Sequence, residues 1–402
     1  MTSAFSLNNP VTPALMPLAR RANLAFSHGE GPYLYGLDGR KYLDFLAGIA
    51  VCSLGHAHPY LVKTIQLQAE KLWHCSNHFR IPDQEKLAER LAERTGMDCA
   101  FFCNSGAEAN EAGFKLIRKY FDDSGKPERF RVITVEQAFH GRTLATLAAT
   151  GQEKYTKGFE PMVDGFDKVA YGNLNEMRAA ITRETAAIMI EPVQGEGGLR
   201  VASDEYLREL RKICDEFGLL LFFDQVQCGV GRTGKFCSHE WSGVKPDIIT
   251  FAKGLGGGFP IGVCLSTRQA ALGMTAGVHG TTFGGNPLAC AVANSVLDIM
   301  FMPGFFEHVH HVGVHLRGQL SQLAAEFPHI IMEPRGRGLL AGFQAKVPNT
   351  DIVPQLRANG LLSTVAGDNC IRLVPPLIIT ETHVDEAIAI IRKTCQEFKA
   401  SV

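Results

Sequence analysis

Short apolar runs alternate along this chain with longer stretches in which apolar residues recur at helical spacing. The short runs are Cys99–Cys103, Arg131–Glu136, Ala186–Val193, Leu219–Phe223, Ile248–Phe251 and Pro260–Ser266. Runs of this length, rich in β-branched and aromatic residues and bounded by turn residues, predict strands buried on both faces. Helical spacing covers Tyr60–Trp73, Asp83–Thr95, the segment from Asn104 to about Tyr120, Tyr206–Phe217, a long stretch opened by Asn286-Pro287, residues 305–327 and Glu381–Phe398. Pro82 and Asp83 are helix-start signals. Gly31–Phe45 predicts a hairpin turning at Asp38-Gly39. Residues 1–30 read as irregular, with an extended N-terminal arm.

The alternation predicts an α/β fold with more than one domain, because 402 residues exceed what a single core usually serves. The expected division is an arm and hairpin at 1–58 packing with the small domain, a large domain at 59–285 built on a mostly parallel sheet, and a smaller α+β domain at 286–402. The hydrophobic share of 46% and charged share of 20% are ordinary for a globular protein. A net charge of −1 gives no electrostatic case for a nucleic-acid or anionic-membrane partner. No apolar run approaches the ~20 residues of a membrane span. The 11 cysteines are scattered without a C-x-x-C pair, which predicts free thiols and a reducing cytoplasm. Residues 1–29 lack acids and contain Arg20 and Arg21, in the manner of an organelle-targeting segment. Pro10, Pro13 and Pro17 would break the amphipathic helix that such a segment needs.

Two of the apolar runs carry the chemistry. Leu219–Phe223 leads directly to Asp224, and Ile248–Phe251 leads through Ala252 to Lys253, 29 residues further on. Charges at the carboxyl ends of buried parallel strands stand where open α/β sheets bind ligands. A lysine and an acid at one such edge suit a pyridine-ring cofactor bearing an aldehyde. The lysine forms a Schiff base and the carboxylate pairs with the ring nitrogen. Either residue alone reads as a turn cap or a surface charge; the pair, followed by Gly254-Leu255-Gly256-Gly257-Gly258, does not.

Other strand ends add to this edge. Cys99–Cys103 runs into Asn104-Ser105-Gly106-Ala107 and then a helix, which places unpaired N–H groups and a helix dipole where a phosphate could bind. Ser105 as a plain N-cap is the competing reading. After the next strand, Phe139 could cover a flat ring and Arg142 could take a carboxylate. Glu196 lies in the glycine-rich loop after Ala186–Val193, a site-like position. Thr281 and Thr282 give adjacent hydroxyls in the loop before Asn286. No metal site is expected: His56 and His58 read as a packed turn, and His308, His311 and His315 as a solvated helix face. The glycines after Lys253 run into the strand-like PIGVCLS rather than a helix, which argues against a dinucleotide fingerprint.

The segments NSGAEANE, FHGRT, EPVQGEGG, FFDQVQCGVGRTG, AKGLGGGFPIG and HGTTFGGNPLACAVA together resemble the class-III, ornithine-type aminotransferases. The likeness runs from about residue 15 to the end and looks closest to the acetylornithine branch. It implies the aspartate-aminotransferase fold (fold type I), pyridoxal 5′-phosphate as cofactor and a homodimer with sites at the subunit interface. It also implies transfer of the δ-amino group of N2-acetyl-L-ornithine to 2-oxoglutarate by ping-pong kinetics, in arginine biosynthesis. By position, Lys253 resembles the Schiff-base lysine and Asp224 the ring-nitrogen partner. Ser105, Gly106 and Ala107 match the phosphate loop, and Phe139 and Val226 the residues on either ring face. Gln227 matches the contact to the phenolic oxygen, and Thr282 a phosphate ligand from the neighbouring subunit. Arg142 and Arg372 match two substrate-carboxylate arginines, Glu196 the acid that pairs with Arg372, and Thr281 a substrate-side residue. The family usually has Glu where this chain has Gln225.

The alternatives left open are a sister enzyme acting on succinylornithine, N-succinyl-diaminopimelate, ornithine or 4-aminobutyrate, a different reaction of the same cofactor, and a non-catalytic binding protein. Ile49, where ornithine aminotransferase has tyrosine, disfavours free ornithine.

Overall fold

The computed structural model describes residues 11–399. The first ten residues of the expected arm lie outside this range. At the centre stands a seven-stranded sheet in the order Cys99–Cys103, Gly262–Ser266, Ile248–Phe251, Leu220–Asp224, Thr185–Ile190, Arg131–Val135 and Phe166–Val169. Gly262–Ser266 is antiparallel to both of its neighbours, whereas the pairings from Ile248–Phe251 to Phe166–Val169 are parallel. The mostly parallel sheet expected from the apolar runs is therefore present. Its middle strands are buried along their whole length, which is why the sequence lacks the alternation of a half-exposed strand.

Helices cover both faces. Gly106–Asp123 lies across the central strands, and the approach is close enough that a Cβ on Gly113 would stand 2.5 Å from Phe222 Cε1. Phe222 and Phe223 point to opposite faces and are fully buried. Each contributes about 1.5–3 kcal/mol of burial. Asp204–Phe217, capped by Ser203 and ended by Gly218 at φ 62°, returns the chain to the Leu220–Asp224 strand.

A second sheet, Ile331–Arg337, Leu340–Ala345, Cys370–Leu373 and Thr364–Ala366, is antiparallel and packs against the helices Phe305–Glu326 and Asn349–Ala358, on which the last helix, Glu381–Gln396, lies in turn. The predicted hairpin exists as Tyr33–Gly36 and Lys41–Asp44. Two features differ from expectation. Phe26–Glu30 is a strand rather than irregular, pairing with Tyr33–Gly36, and Leu361–Leu362 adds in parallel to Lys41–Asp44.

The histidines at 308, 311 and 315 are not a bare solvated face. His308 Nε2 meets the carbonyl of Ile379 at 2.9 Å, His311 pairs with Glu381 at 2.9 Å and His315 with Asp385 at 2.8 Å. They fasten one helix to the start of the last. Among the described residues no group of metal-ligating side chains has the arrangement of a metal site. All eleven cysteines are free, and among the described residues no single helix is long and apolar enough to cross a membrane.

His56, read from sequence as part of a packed turn, has a buried acid. Asp44 Oδ1 accepts the N–H groups of Leu46 and Ala47, and its Oδ2 meets His56 Nε2 at 2.7 Å. The bond to Asp44, then the contact with Cys52, pushes the imidazole up to about 9. A folded-state value above the unfolded one contributes stability that is complete below about pH 6.5 and is lost as pH rises through about 9. Raising the pH from 6.5 to 10 should lower the melting temperature by roughly 2–4 °C more in the native protein than in His56→Gln. Parallel melting curves for the two would remove this role.

Candidate active site

The carboxyl ends of the strands converge on one cavity of about 390 Å³. Cys99–Cys103 delivers Ser105, Gly106 and Ala107; Arg131–Val135 delivers Phe139, His140 and Arg142; Thr185–Ile190 delivers Glu191. Leu220–Asp224 delivers Asp224, Val226 and Gln227, and Ile248–Phe251 delivers Lys253. Pro260 and Ile261 close the wall where the antiparallel strand begins.

Lys253 opens a short 3-10 turn with φ 45°, a left-handed conformation that a lysine adopts at a cost of order 1–3 kcal/mol. The turn aims its side chain back into the cavity. Among the described residues its Nζ has no hydrogen-bond or ion-pair partner. Burial, and then the positive charge of Arg372, hold its proton affinity below that of an ordinary lysine, although Glu196, Asp224 and Glu191 pull the other way. The outcome is an amine that loses its proton more readily than a surface lysine does.

Asp224 is 2% exposed, so its charge needs donors. Oδ1 accepts the N–H of Val226 at 2.9 Å, and Oδ2 lies 2.8 Å from Asn110 Nδ2 and 2.8 Å from His140 Nδ1. The second lone pair of Oδ1 is left for the cavity. His140 Nε2 is buried without a partner. Sequence reasoning missed His140, Asn110 and Glu191. Glu191 could have been found by the rule that singled out Asp224, since it too follows a buried strand. It accepts the N–H of Phe139 at 2.8 Å and fixes the backbone of that ring. Burial, then the neighbouring Asp224 charge, push its carboxyl well above the usual range.

Ser105 serves as the cap of the Gly106–Asp123 helix, its hydroxyl accepting from Glu108 N–H at 3.2 Å. The cap and the anion site do not exclude one another. The N–H groups of Gly106 and Ala107 belong to the first turn and have no intrahelical acceptor. Gly106 is obligatory for packing: a Cβ there would meet Val226 Cγ1 at 2.5 Å. Val226 is thereby pressed against the phosphate-type loop.

Arg372 is 1% exposed and lies behind Gln227 rather than in the cavity wall. Its Nη1 donates to Glu196 Oε1 at 2.6 Å and to Gln227 Oε1 at 2.8 Å, and its Nε has no acceptor. Burial alone would push the Glu196 carboxyl up, but Arg372 and Lys253 outweigh it and hold the carboxyl below its ordinary value. Arg142, by contrast, is exposed at the cavity mouth, 4.0 Å from the ring centre of Tyr155, and among the described residues it has no carboxylate partner.

Thr281 and Thr282 stand outside this cavity. The Thr281 hydroxyl accepts from Gly284 N–H at 3.1 Å, and Thr282 is exposed. Ile49 is 38% exposed and is not part of the wall, whereas Val51 is.

Gln225 turns away from the cavity. Its Oε1 accepts Ser238 N–H at 2.6 Å and its Nε2 meets His239 Nδ1 at 2.7 Å. Burial pushes His239 down to about 4, so the ring is neutral at physiological pH. An amide complements both neighbours, donating to one and accepting from the other. A carboxylate could satisfy Ser238 but would meet the His239 lone pair unless the ring moved its proton to Nδ1.

The model of the aminotransferase class-III family matches residues 18–395. The acetylornithine aminotransferase of Brucella melitensis is 57% identical over 92% of this chain and 91% of its own length, and that of Agrobacterium fabrum is 56% identical over 92% of each. Among solved structures, the ornithine aminotransferase of Toxoplasma gondii superposes with a TM-score of 0.90 at 31% identity, over 94% of this chain and 92% of that one. The acetylornithine aminotransferase of Elizabethkingia anophelis gives 0.84 at 30% identity, over 95% and 96%. The lysine and acid at adjacent strand ends thus stand in a chain whose whole length follows one family, and this protein belongs to the class-III aminotransferases.

Proposed function

We propose that this enzyme transfers the terminal amino group of N2-acetyl-L-ornithine to 2-oxoglutarate, giving N-acetyl-L-glutamate 5-semialdehyde and glutamate, a step of arginine biosynthesis. One observation carries the reading: the site has two guanidinium groups in different states. Arg142 stands open at the mouth, and Arg372 is buried and neutralised by Glu196 at 2.6 Å. A donor reacting at a δ-amine and one reacting at an α-amine carry their carboxylates at different distances from the reacting carbon. Arg142 would take the first. Arg372 would take the second once Glu196 swings aside.

Enzymes of this class use pyridoxal 5′-phosphate. The residues fit it: an unpartnered amine at Lys253, a free lone pair on Asp224 Oδ1, unpaired N–H groups at the start of the Gly106–Asp123 helix, and Phe139 and Val226 in the cavity wall. When bound, the cofactor supplies an electron-withdrawing ring. Lys253 would hold the group through its aldehyde and, once freed by substrate, would take a proton from the substrate carbon as base and deliver it as acid to the cofactor carbon rather than back to the substrate. Asp224 would receive the ring N–H, and Gln227 would lie between the ring and Arg372.

The same reading makes the enzyme a cytoplasmic homodimer, divided as 1–58, 59–285 and 286–402. Support for a second copy comes from Phe283, next to Thr282 and 61% exposed, and from Trp73 and Phe79, 64% and 70% exposed, which flank His74 and Asn77, the residues that meet Phe283 and the Thr281 carbonyl. Thr282 would reach the phosphate loop of the partner.

Borohydride reduction of the purified protein followed by peptide mapping should label Lys253. A panel of amine donors with 2-oxoglutarate should rank acetylornithine above ornithine and 4-aminobutyrate. A label elsewhere, or none, sinks the cofactor assignment; a preference for 4-aminobutyrate sinks the substrate.

A further inference from the structure

The run Ile248–Phe251 contains one polar residue. Thr250 is 0% exposed, and a hydroxyl buried without a partner is costly. Its strand register sets it beside Asp224. The hydroxyl does not bond the acid. It lies 2.7 Å from Asn110 Oδ1, and the Nδ2 of the same amide lies 2.7 Å from the carbonyl of His140 and 2.8 Å from Asp224 Oδ2.

The chemistry of these neighbours fixes every proton. The His140 carbonyl and an ionised Asp224 have no proton to give, so the amide must turn its NH2 to both. Its oxygen then faces Thr250, and because an amide oxygen can only accept, the hydroxyl must donate. The opposite amide orientation would set an oxygen against two oxygens. Asp224 Oδ2 therefore holds one donor from Asn110 and one from His140, and the carboxylate is left with Oδ1 for the cavity.

We infer that Thr250 and Asn110 are positioning residues for the reaction: the hydroxyl sets the amide, and the amide sets which oxygen of Asp224 meets the cofactor ring. The inference rests on the reading of Asp224 as the partner of the ring nitrogen. Thr250 is not part of the cavity wall and Asn110 meets the wall beside Asp224, so the effect of the hydroxyl passes through the amide to that acid.

Thr250→Val keeps shape and strand propensity and removes the donor; Thr250→Ser restores it. Asn110→Ser removes the amide and serves as the second variant. In the holoenzyme of Thr250→Val, borohydride should still label Lys253. The rate of the half-reaction with acetylornithine should fall roughly fivefold, the loss of one buried hydrogen bond felt in the transition state, with KM within about twofold. The ring nitrogen would be held less firmly as its protonated form, so the imine nitrogen at Lys253 would keep its proton to higher pH. The midpoint of the pH titration of the bound cofactor's visible absorbance should rise by roughly half a unit. Glu191, His140, Lys253 and the Arg372–Glu196 pair also face this region and are unchanged in the variants. Asn110→Ser should move both readouts the same way, and Thr250→Ser should return both to the native values. A native midpoint and rate in Thr250→Val, or a loss that Thr250→Ser fails to restore, overturns the inference while the Lys253 label keeps the cofactor reading intact. Absence of the label in the native protein overturns both.

Discussion

Replacing Lys253 by alanine should lower turnover with acetylornithine roughly 10⁴-fold or more, the upper range of what a positioned acid–base group supplies. The reason lies in what remains. The other titratable side chains in the cavity wall are held by neighbours, apart from the buried Nε2 of His140. Asp224 accepts Val226 N–H, Asn110 and His140; Glu191 accepts Phe139 N–H; His140 spends Nδ1 on Asp224; and Arg142 cannot act as a base. None is a free amine. The fold should survive, because the Lys253 side chain makes no hydrogen bond or ion pair among the described residues. The left-handed φ of 45° is as tolerable for alanine as for lysine. Since truncation leaves space where an amine stood, a small primary amine in the medium should restore part of the rate. Steady-state rates with and without added amine, beside melting curves, check this. A variant within tenfold of the native rate would show that Lys253 is not the proton carrier.

The prominence of Lys253 and Asp224 in the sequence has a physical origin. Strands covered on both faces have no polar side, so they read as unbroken apolar runs, and the first charge after each run marks the sheet edge. The same logic reaches Glu191, the first charge after Thr185–Ile190. It fails where an element is held by its partner rather than by its own pattern. Phe26–Glu30 is polar and largely exposed and becomes a strand by pairing with the hairpin. Leu361–Leu362 is two residues long and exists because Lys41–Asp44 offers an edge.

Networks are harder to read than positions. Asn110 and Asp224 are 114 residues apart in sequence, and Thr250 and Asn110 are 140 apart. Nothing local to Asn110 separates a helix residue facing solvent from one that orients a buried acid. The histidine face of Phe305–Glu326 looked solvated because its carboxylates, Glu381 and Asp385, lie 70 residues away. Gln225 was visible as a departure from the family. That it complements a neutral His239, rather than tuning the ring site, required the fold.

Arg372→Ala should split the two half-reactions. In the proposed role, the guanidinium would offer a substrate α-carboxylate two parallel charge-assisted bonds, each worth about 1.5–3 kcal/mol. Their loss predicts a fall of roughly 10²–10⁴-fold in kcat/KM for glutamate and 2-oxoglutarate. The acetylornithine half, whose carboxylate is assigned to Arg142, should lose less than about tenfold. Part of any loss would come from a different source. Glu196 is held ionised by Arg372 against a burial that pushes its carboxyl up, and removing the arginine leaves an acid without its partner 2.6 Å away. Arg372→Ala with Glu196→Gln removes that residue of charge. If Arg372 acts by binding the carboxylate, the double variant stays as poor with glutamate as the single one. If the single variant fails because of the stranded acid, the double one recovers. Single-turnover rates measured separately with each donor decide between these, and equal losses in the two halves would remove Arg372 from the role of α-carboxylate clamp.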